Sequence, residues 1–298
     1  MNMIPGKSLT DNASQINVGQ TSSGTHIPVL LKEVIKYLDP GPDKTFIDCT
    51  PGGGGHIRAI LERGAKVLAI EWDDEIFKSL ESEKLEGLTL VNDTYANLEE
   101  IAKECGFVNV SGILFDLGMS SYHLDKSGRG FTFRYNEPLD MRYNTDSGLT
   151  AKDIVNTWPQ KEIENILKIY GEEKRAGQIA GNIVRGRPIE TTFDLKRAIG
   201  GKRGRIDPAT KTFQALRIVV NAELNSLMTA LDQSGRILSE RGRLAVISFH
   251  SLEDRIVKNA FKKLDLEILT KKPIMADRAE VRNNPRARSV RLRVGRKR

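Results

Sequence analysis

Two hydrophobic rhythms divide this chain. Between residues 45 and 116, short apolar runs alternate with amphipathic stretches. The runs at 45–49, 66–71, 87–91 and Gly112-Ile113-Leu114-Phe115-Asp116 have the length and Val/Ile/Leu content of buried strands. Helix spacing fills the gaps near 55–63, 74–81 and 96–105. Such alternation predicts a parallel sheet with helices on both faces. An amphipathic helix from Val29 to Leu38 precedes it and stops at Asp39-Pro40-Gly41-Pro42.

The rhythm then changes. Residues 119–145 are rich in Ser, Gly, Arg, Asn and Tyr and show no strand pattern. Helices are predicted at Ala151 to Thr157, Gln160 to Tyr170, Glu173 to Ile183 and Thr192 to Ile199, followed by a long one over 211–239. A fifth parallel strand comes only at 243–249. The reading is an α/β, Rossmann-like sheet domain made of 26–121 and 213–298. A helical domain, 122–212, is inserted at the sheet's carboxyl edge, where it would cover a ligand. Ser251-Leu252-Glu253-Asp254 reads as a capping box opening a helix to Lys263. A short strand is predicted at 266–270 and another at 288–295. The latter has Val290, Leu292 and Val294 on one face and Arg291 and Arg293 on the other, with 296–298 beyond it. Residues 1–25 are polar and read as a disordered leader, without the apolar core of a signal peptide.

Chemistry enters at the first strand-to-helix turn. Four glycines, Gly52 to Gly55, follow the strand and precede His56. Such a loop lets backbone approach a ligand, and the helix start offers unpaired N–H groups. Glu71 ends the next strand, where doubly wound folds hold ribose hydroxyls. No Gly-Lys-Ser/Thr follows the loop, and position 57 is Ile57 rather than a third glycine, so a pyrophosphate cofactor is disfavoured. S-adenosylmethionine has a ribose and no phosphate, and it suits this set. A side chain at Gly54 is expected to obstruct such a cofactor while leaving the fold intact.

Charge changes the picture of partners. The net charge is +7, and the 13 residues from Arg286 to Arg298 hold seven basic residues and no acid. A second cluster comprises Lys196, Arg197, Lys202, Arg203, Arg205, Lys211 and Arg217 against Asp207 alone. Two such clusters beside a nucleoside-cofactor site suggest nucleic acid. No run approaches the roughly 18 apolar residues of a membrane span, so no membrane role is expected. Cys49 and Cys105 fit neither a disulfide framework nor a zinc spacing and read as reduced thiols of a cytoplasmic protein with no metal.

An ordered set of segments resembles one family, the bacterial small-subunit (16S) ribosomal RNA cytosine-N4-methyltransferases (RsmH or MraW). It runs from His26-Ile27-Pro28-Val29-Leu30-Leu31 through Gly54-Gly55-His56 to Asp116-Leu117-Gly118-Met119-Ser120-Ser121. It continues with Arg129-Gly130-Phe131-Thr132-Phe133, Pro138-Leu139-Asp140-Met141-Arg142 and Tyr170-Gly171-Glu172-Glu173. Thr212-Phe213-Gln214-Ala215-Leu216-Arg217-Ile218, then residues 247–255 and 284–289, complete it. The resemblance implies S-adenosylmethionine contacts at Gly54, Gly55, His56, Glu71, Tyr95, Asp116 and His123. It implies N4 methylation of a cytidine near the decoding centre, on ribosomal RNA in an assembling subunit. Glu71 stands where the family usually has Asp, His123 where it has Gln, and Tyr95 where it often has Phe.

The cytosine amino group is a poor nucleophile because its lone pair is delocalised, so an acceptor near it would orient the lone pair. Candidates are Asp116, Ser120, Ser121 and Ser248; the catalytic residue stays open, and His250 is either a buried imidazole or part of the site. A nicotinamide dehydrogenase would share strand, loop and acid but lacks the third glycine. Two other readings are a methyltransferase acting on a different RNA position or base and a non-catalytic RNA-binding assembly factor.

Overall fold

In the computed structural model, which describes residues 28–146, 148–201 and 207–298, the apolar runs become one seven-stranded sheet. The strands are β1 (Thr45–Asp48), β2 (Lys66–Glu71), β3 (Leu88–Asn92), β4 (Val110–Asp116), β5 (Leu238–Ser248), β6 (Glu267–Ile268) and β7 (Arg291–Arg296). Their order is β3-β2-β1-β4-β5-β7-β6; the first five are parallel, and β7 lies antiparallel to both its neighbours. The chain therefore runs outward one way from β1 and the other way from β4. Between those two strands is the switch point at which open α/β sheets leave a crevice.

Helices α1 (Leu31–Leu38), α2 (Gly55–Leu61), α3 (Asp74–Ser82) and α4 (Leu98–Glu104) accompany the first strands. Side-chain alternation builds two layers. Ile47, Leu68, Ile113 and Val246 face one, while Phe46, Val67, Leu114 and Ile247 face the other. After β4 come α5 (Ser121–Asp125), α6 (Ala151–Thr157), α7 (Gln160–Ile169), α8 (Ala176–Arg185), α9 (Thr192–Ile199) and α10 (Pro208–Val220). Helices α6 to α10 bury a separate apolar cluster that includes Phe131, Ile154, Leu167, Ile179, Leu195 and Leu216. Helix α11 (Glu223–Ile237) returns to the sheet, followed by α12 (Ser251–Lys263) and α13 (Arg278–Asn283).

Several expectations need correction. The long helix over 211–239 is two helices, because Ala222 takes a left-handed conformation at φ 49. The Asn221 side chain fills the break, donating to Met141 O and Arg217 O and accepting from Tyr143 N–H. Helix α8 starts three residues later than its pattern suggests, after Glu172 turns at φ 46. The cap of α12 is His250, one residue earlier than expected: its ring accepts from Glu253 N–H, and Glu253 Oε2 accepts from His250 N–H. Helices α5 and α13 had no legible signal. The leader, His26, and Lys202, Arg203 and Arg205 lie outside the described residues.

The arginine-rich end is built into the sheet. Val290, Leu292 and Val294 are fully buried. Arg293 pairs with Asp254 at 2.7 and 3.0 Å, Arg296 with Glu267, and Arg286 with Asp125. Lys297, expected beyond the strand, donates its N–H to Gly242 O and its ammonium to Gly235 O and Leu238 O. Most of this charge therefore has a partner within the fold. Among the described residues, Arg288 is exposed and has no ion-pair partner.

Candidate active site

A cavity of about 1040 Å³ opens at the carboxyl ends of β1, β2 and β4, between the sheet and the helical cluster. Its floor is the loop after β1. Gly52 takes φ +49, and a side chain there would have Ser120 as its nearest neighbour, at 3.6 Å. Gly55 begins α2 against Pro28, and a Cβ there would meet that ring at 2.8 Å. Both glycines line the cavity.

Gly54 does not. It caps α2 at φ +74, and a Cβ would strike Leu80 at 2.7 Å, behind the loop. The expectation that a side chain at Gly54 would meet the ligand and spare the fold is therefore overturned: the obstruction lies between loop and α3.

The remaining residues singled out from sequence gather around the cavity. His56 is 5% exposed, and its Nε2 donates to Val29 O at 3.1 Å, since a carbonyl can only accept. Its Nδ1 stands 3.8 Å from Asp116 Oδ2. Glu71 ends β2 and accepts from Asp73 N–H at 2.9 Å. Burial in the cavity wall pushes its carboxyl up to about 8 despite that hydrogen bond. Tyr95 stands edge-on to Phe115, ring centroids 5.8 Å apart, with its phenol raised by burial. Asp116 ends β4, with its carboxyl pushed to about 8 by burial and then by Asp48.

His123 also lines the cavity, and its two ring nitrogens are engaged by the protein. Ser120 N–H donates to its Nδ1 at 3.3 Å, which leaves the proton on Nε2, and that proton goes to Asp73 Oδ2 at 3.0 Å. Arg129 binds the same Asp73 oxygen. The His123 ring packs on Phe131 and Tyr143, with centroids 5.0 and 4.8 Å away. Burial lowers its pKa, so the imidazole is neutral near pH 7. Both ring nitrogens are occupied within the protein: His123 braces the N-terminus of α3 against the 129–143 segment.

Of the acceptor candidates, Asp116 and Ser120 line the cavity. Ser248 does not; its hydroxyl turns to Arg291 O. Ser121 accepts from Arg286, tying α5 to the C-terminal segment. Sequence reasoning missed a buried polar group on the far wall. There Arg217, 9% exposed, grips Glu223 at 2.7 and 3.0 Å, with Tyr143 donating to Glu223 and with His250 and Glu253 close by. Arg217 is thus an internal ion pair and leaves the basic surface cluster. Its helical pattern carried no sign of this, because the partner lies beyond the helix break.

The chain matches the MraW methylase family over residues 23–298. A Deinococcus radiodurans protein named "Ribosomal RNA small subunit methyltransferase H" is 44% identical, covering 96% of each chain. A protein of the same name from Thermotoga neapolitana is 45% identical over 90% of this chain and 95% of its own. One from Dehalococcoides mccartyi is 43% identical over 90% and 85%. With the family model spanning residues 23–298, relatives at 43–45% identity, and a cavity with a glycine floor and acids at the ends of β2 and β4, the chain belongs to the MraW methylase family.

Proposed function

We propose that the chain transfers a methyl group from S-adenosylmethionine to the N4 amino group of a cytidine in small-subunit ribosomal RNA near the decoding centre. The observation that carries this reading is the cavity at the switch point, floored by Gly52 and Gly55 and edged by Glu71 and Asp116. Ribosomal RNA comes from the relatives' shared name. N4 of cytidine and the decoding centre rest on the motif resemblance.

The residues fit the cofactor. Gly52 and Gly55 keep backbone open where an adenosine would approach. Glu71 would accept from ribose hydroxyls, and Tyr95 offers a ring wall at the same end. His56 holds the start of α2 to Val29. When bound, S-adenosylmethionine supplies an already activated methyl group, so the protein's work is alignment and exclusion of water. Asp116 and Ser120 are the cavity groups at the β4 end that could orient an amine lone pair. Arg134, Lys211 and Arg288 on the rim suit a phosphate backbone. The target base would have to be unpaired or flipped to enter.

The test incubates the protein with labelled cofactor and partly assembled small subunits, then digests the RNA to nucleosides. Label in N4-methylcytidine is expected. Label in 5-methylcytidine, in a 2′-O-methyl group or on protein would overturn the assignment.

A further inference from the structure

Asp48 takes no part in the site described so far, yet it ends β1 beside the cavity loop and is only 1% exposed. Its strand pairs directly with β4, Asp48 standing opposite Leu114, two residues before Asp116. Thr50 ties the two acids together. Its N–H donates to Asp48 Oδ1 at 3.0 Å, and its Oγ1 accepts from Asp116 N–H at 2.5 Å. Each acid keeps one buried oxygen with no hydrogen-bond donor: Asp48 Oδ2 and Asp116 Oδ1. Unsatisfied buried carboxylate oxygens are costly, and two neighbouring acids relieve the cost by holding one proton between them.

Nearby, His56 Nδ1 approaches the other Asp116 oxygen, Oδ2, at 3.8 Å, while its Nε2 donates to Val29 O. The titratable groups facing the pair are Cys49 from β1, His56 from α2 and Glu253 from α12, and Glu253 adds negative charge. Burial raises Asp48 to about 7, and burial with the neighbouring Asp48 raises Asp116 to about 8.

We propose that Asp48 and Asp116 act as a cation-selecting pair, sharing one proton in the free protein and giving it up when a positively charged ligand fills the adjoining cavity. The step builds on the proposed cofactor. S-adenosylmethionine carries a sulfonium charge, and S-adenosylhomocysteine does not. An ionised pair beneath the cavity favours the charged compound, so Asp48 helps to separate fresh cofactor from spent. The balance closes over a turnover. Methyl transfer forms the N–C bond, returns the S–C electron pair to sulfur and frees one amine proton, so the charge that kept the pair ionised disappears as a proton becomes available.

Infrared spectroscopy of the full chain without ligand tests the shared proton directly. At pH 7 the protein should show a carboxylic C=O band that Asp48→Asn removes, because the amide then donates to an ionised Asp116. Asp116→Asn is the mirror variant, should Asp48→Asn not fold. Identical carboxylic bands in wild type and both variants would overturn the pair. Calorimetry in buffers of different ionisation enthalpy tests the cation step. About one proton should leave per S-adenosylmethionine bound at pH 7, fewer with S-adenosylhomocysteine, and the release should shrink above about pH 8. In Asp48→Asn the release should fall, and the preference for the charged compound should drop about tenfold. Binding with proton release unchanged by Asp48→Asn would overturn the pair. Failure of S-adenosylmethionine to bind would instead overturn the proposed cofactor, and with it the cation step, while the infrared result still decides the shared proton.

Discussion

Gly54 and Gly52 sit two residues apart and answer to different demands. Both take positive φ, but only Gly52 faces the cavity. Gly54→Ala combines a left-handed backbone with a 2.7 Å collision against Leu80, and it should lower stability by about 1–3 kcal/mol in a urea titration. An unchanged midpoint would show that α3 gives way. The acids have a signature in pH. Folding raises Glu71 from 4.5 to about 8, Asp48 from 3.8 to about 7 and Asp116 from 3.8 to about 8. The folded state then holds more protons than the unfolded chain in those windows, so stability from these groups is greatest below pH 4 and declines as pH rises to about 8. His123, lowered by burial, works oppositely, but only up to its ordinary value of 6.5. Thermal melts of the free protein should therefore fall between pH 6.5 and 8, and Glu71→Gln should flatten that fall. A flat wild-type profile across this range would show that the acids are already ionised at its lower end.

Among the elements, β7 joins charge to packing. A chain ended after Gly295 loses Arg296 opposite Arg243, the Arg296–Glu267 pair and every hydrogen bond of Lys297. Its loss should destabilise the fold by about 2–4 kcal/mol by denaturant unfolding, because carbonyls at the end of α11 lose their donor. This differs from the modest loss of RNA affinity expected when 296–298 are placed beyond the strand. A truncated chain with wild-type stability and weakened RNA binding would restore that first reading. The break between α10 and α11 shows the same dependence on partners. The apolar period runs on through 220, but the Asn221 amide finds Met141 and Tyr143 only when a distant loop folds over it.

Across the whole molecule, the cavity exists because the sheet and the helical cluster have separate cores and meet along one edge. Formal charge is a poor guide to the surface that results. Arg293 and Arg217 are held in bidentate pairs, while Arg288 stands exposed on the rim. Arg288→Ala should leave melting unchanged and reduce the salt dependence of RNA binding by about one unit of slope. Arg293→Ala should do the reverse, lowering stability and leaving the slope alone. Filter binding across a salt series, beside thermal melts, separates the two, and equal slopes for wild type and Arg288→Ala would remove this arginine from the RNA surface.

By itself the sequence determined the order of strands and helices from 31 to 116, the glycine floor, and acids at the strand ends. These follow from local period and from turn chemistry, which need no distant partner. It also carried the family, through motifs spread over most of its length. Only the tertiary structure decided which glycine faces the cavity, because that depends on where Leu80 packs behind the loop. The same holds for His123, whose neighbours Asp73 and Arg129 converge from separate segments, and for Arg217, turned inward by Glu223. Asp48 lies within the first predicted strand, 45–49, with nothing in the sequence to single it out. That it lies buried beside Asp116 with an oxygen unsatisfied is a property of β1 pairing with β4, whose partners stand 66 residues apart in the chain with two other strands between them, and no local pattern encodes that pairing.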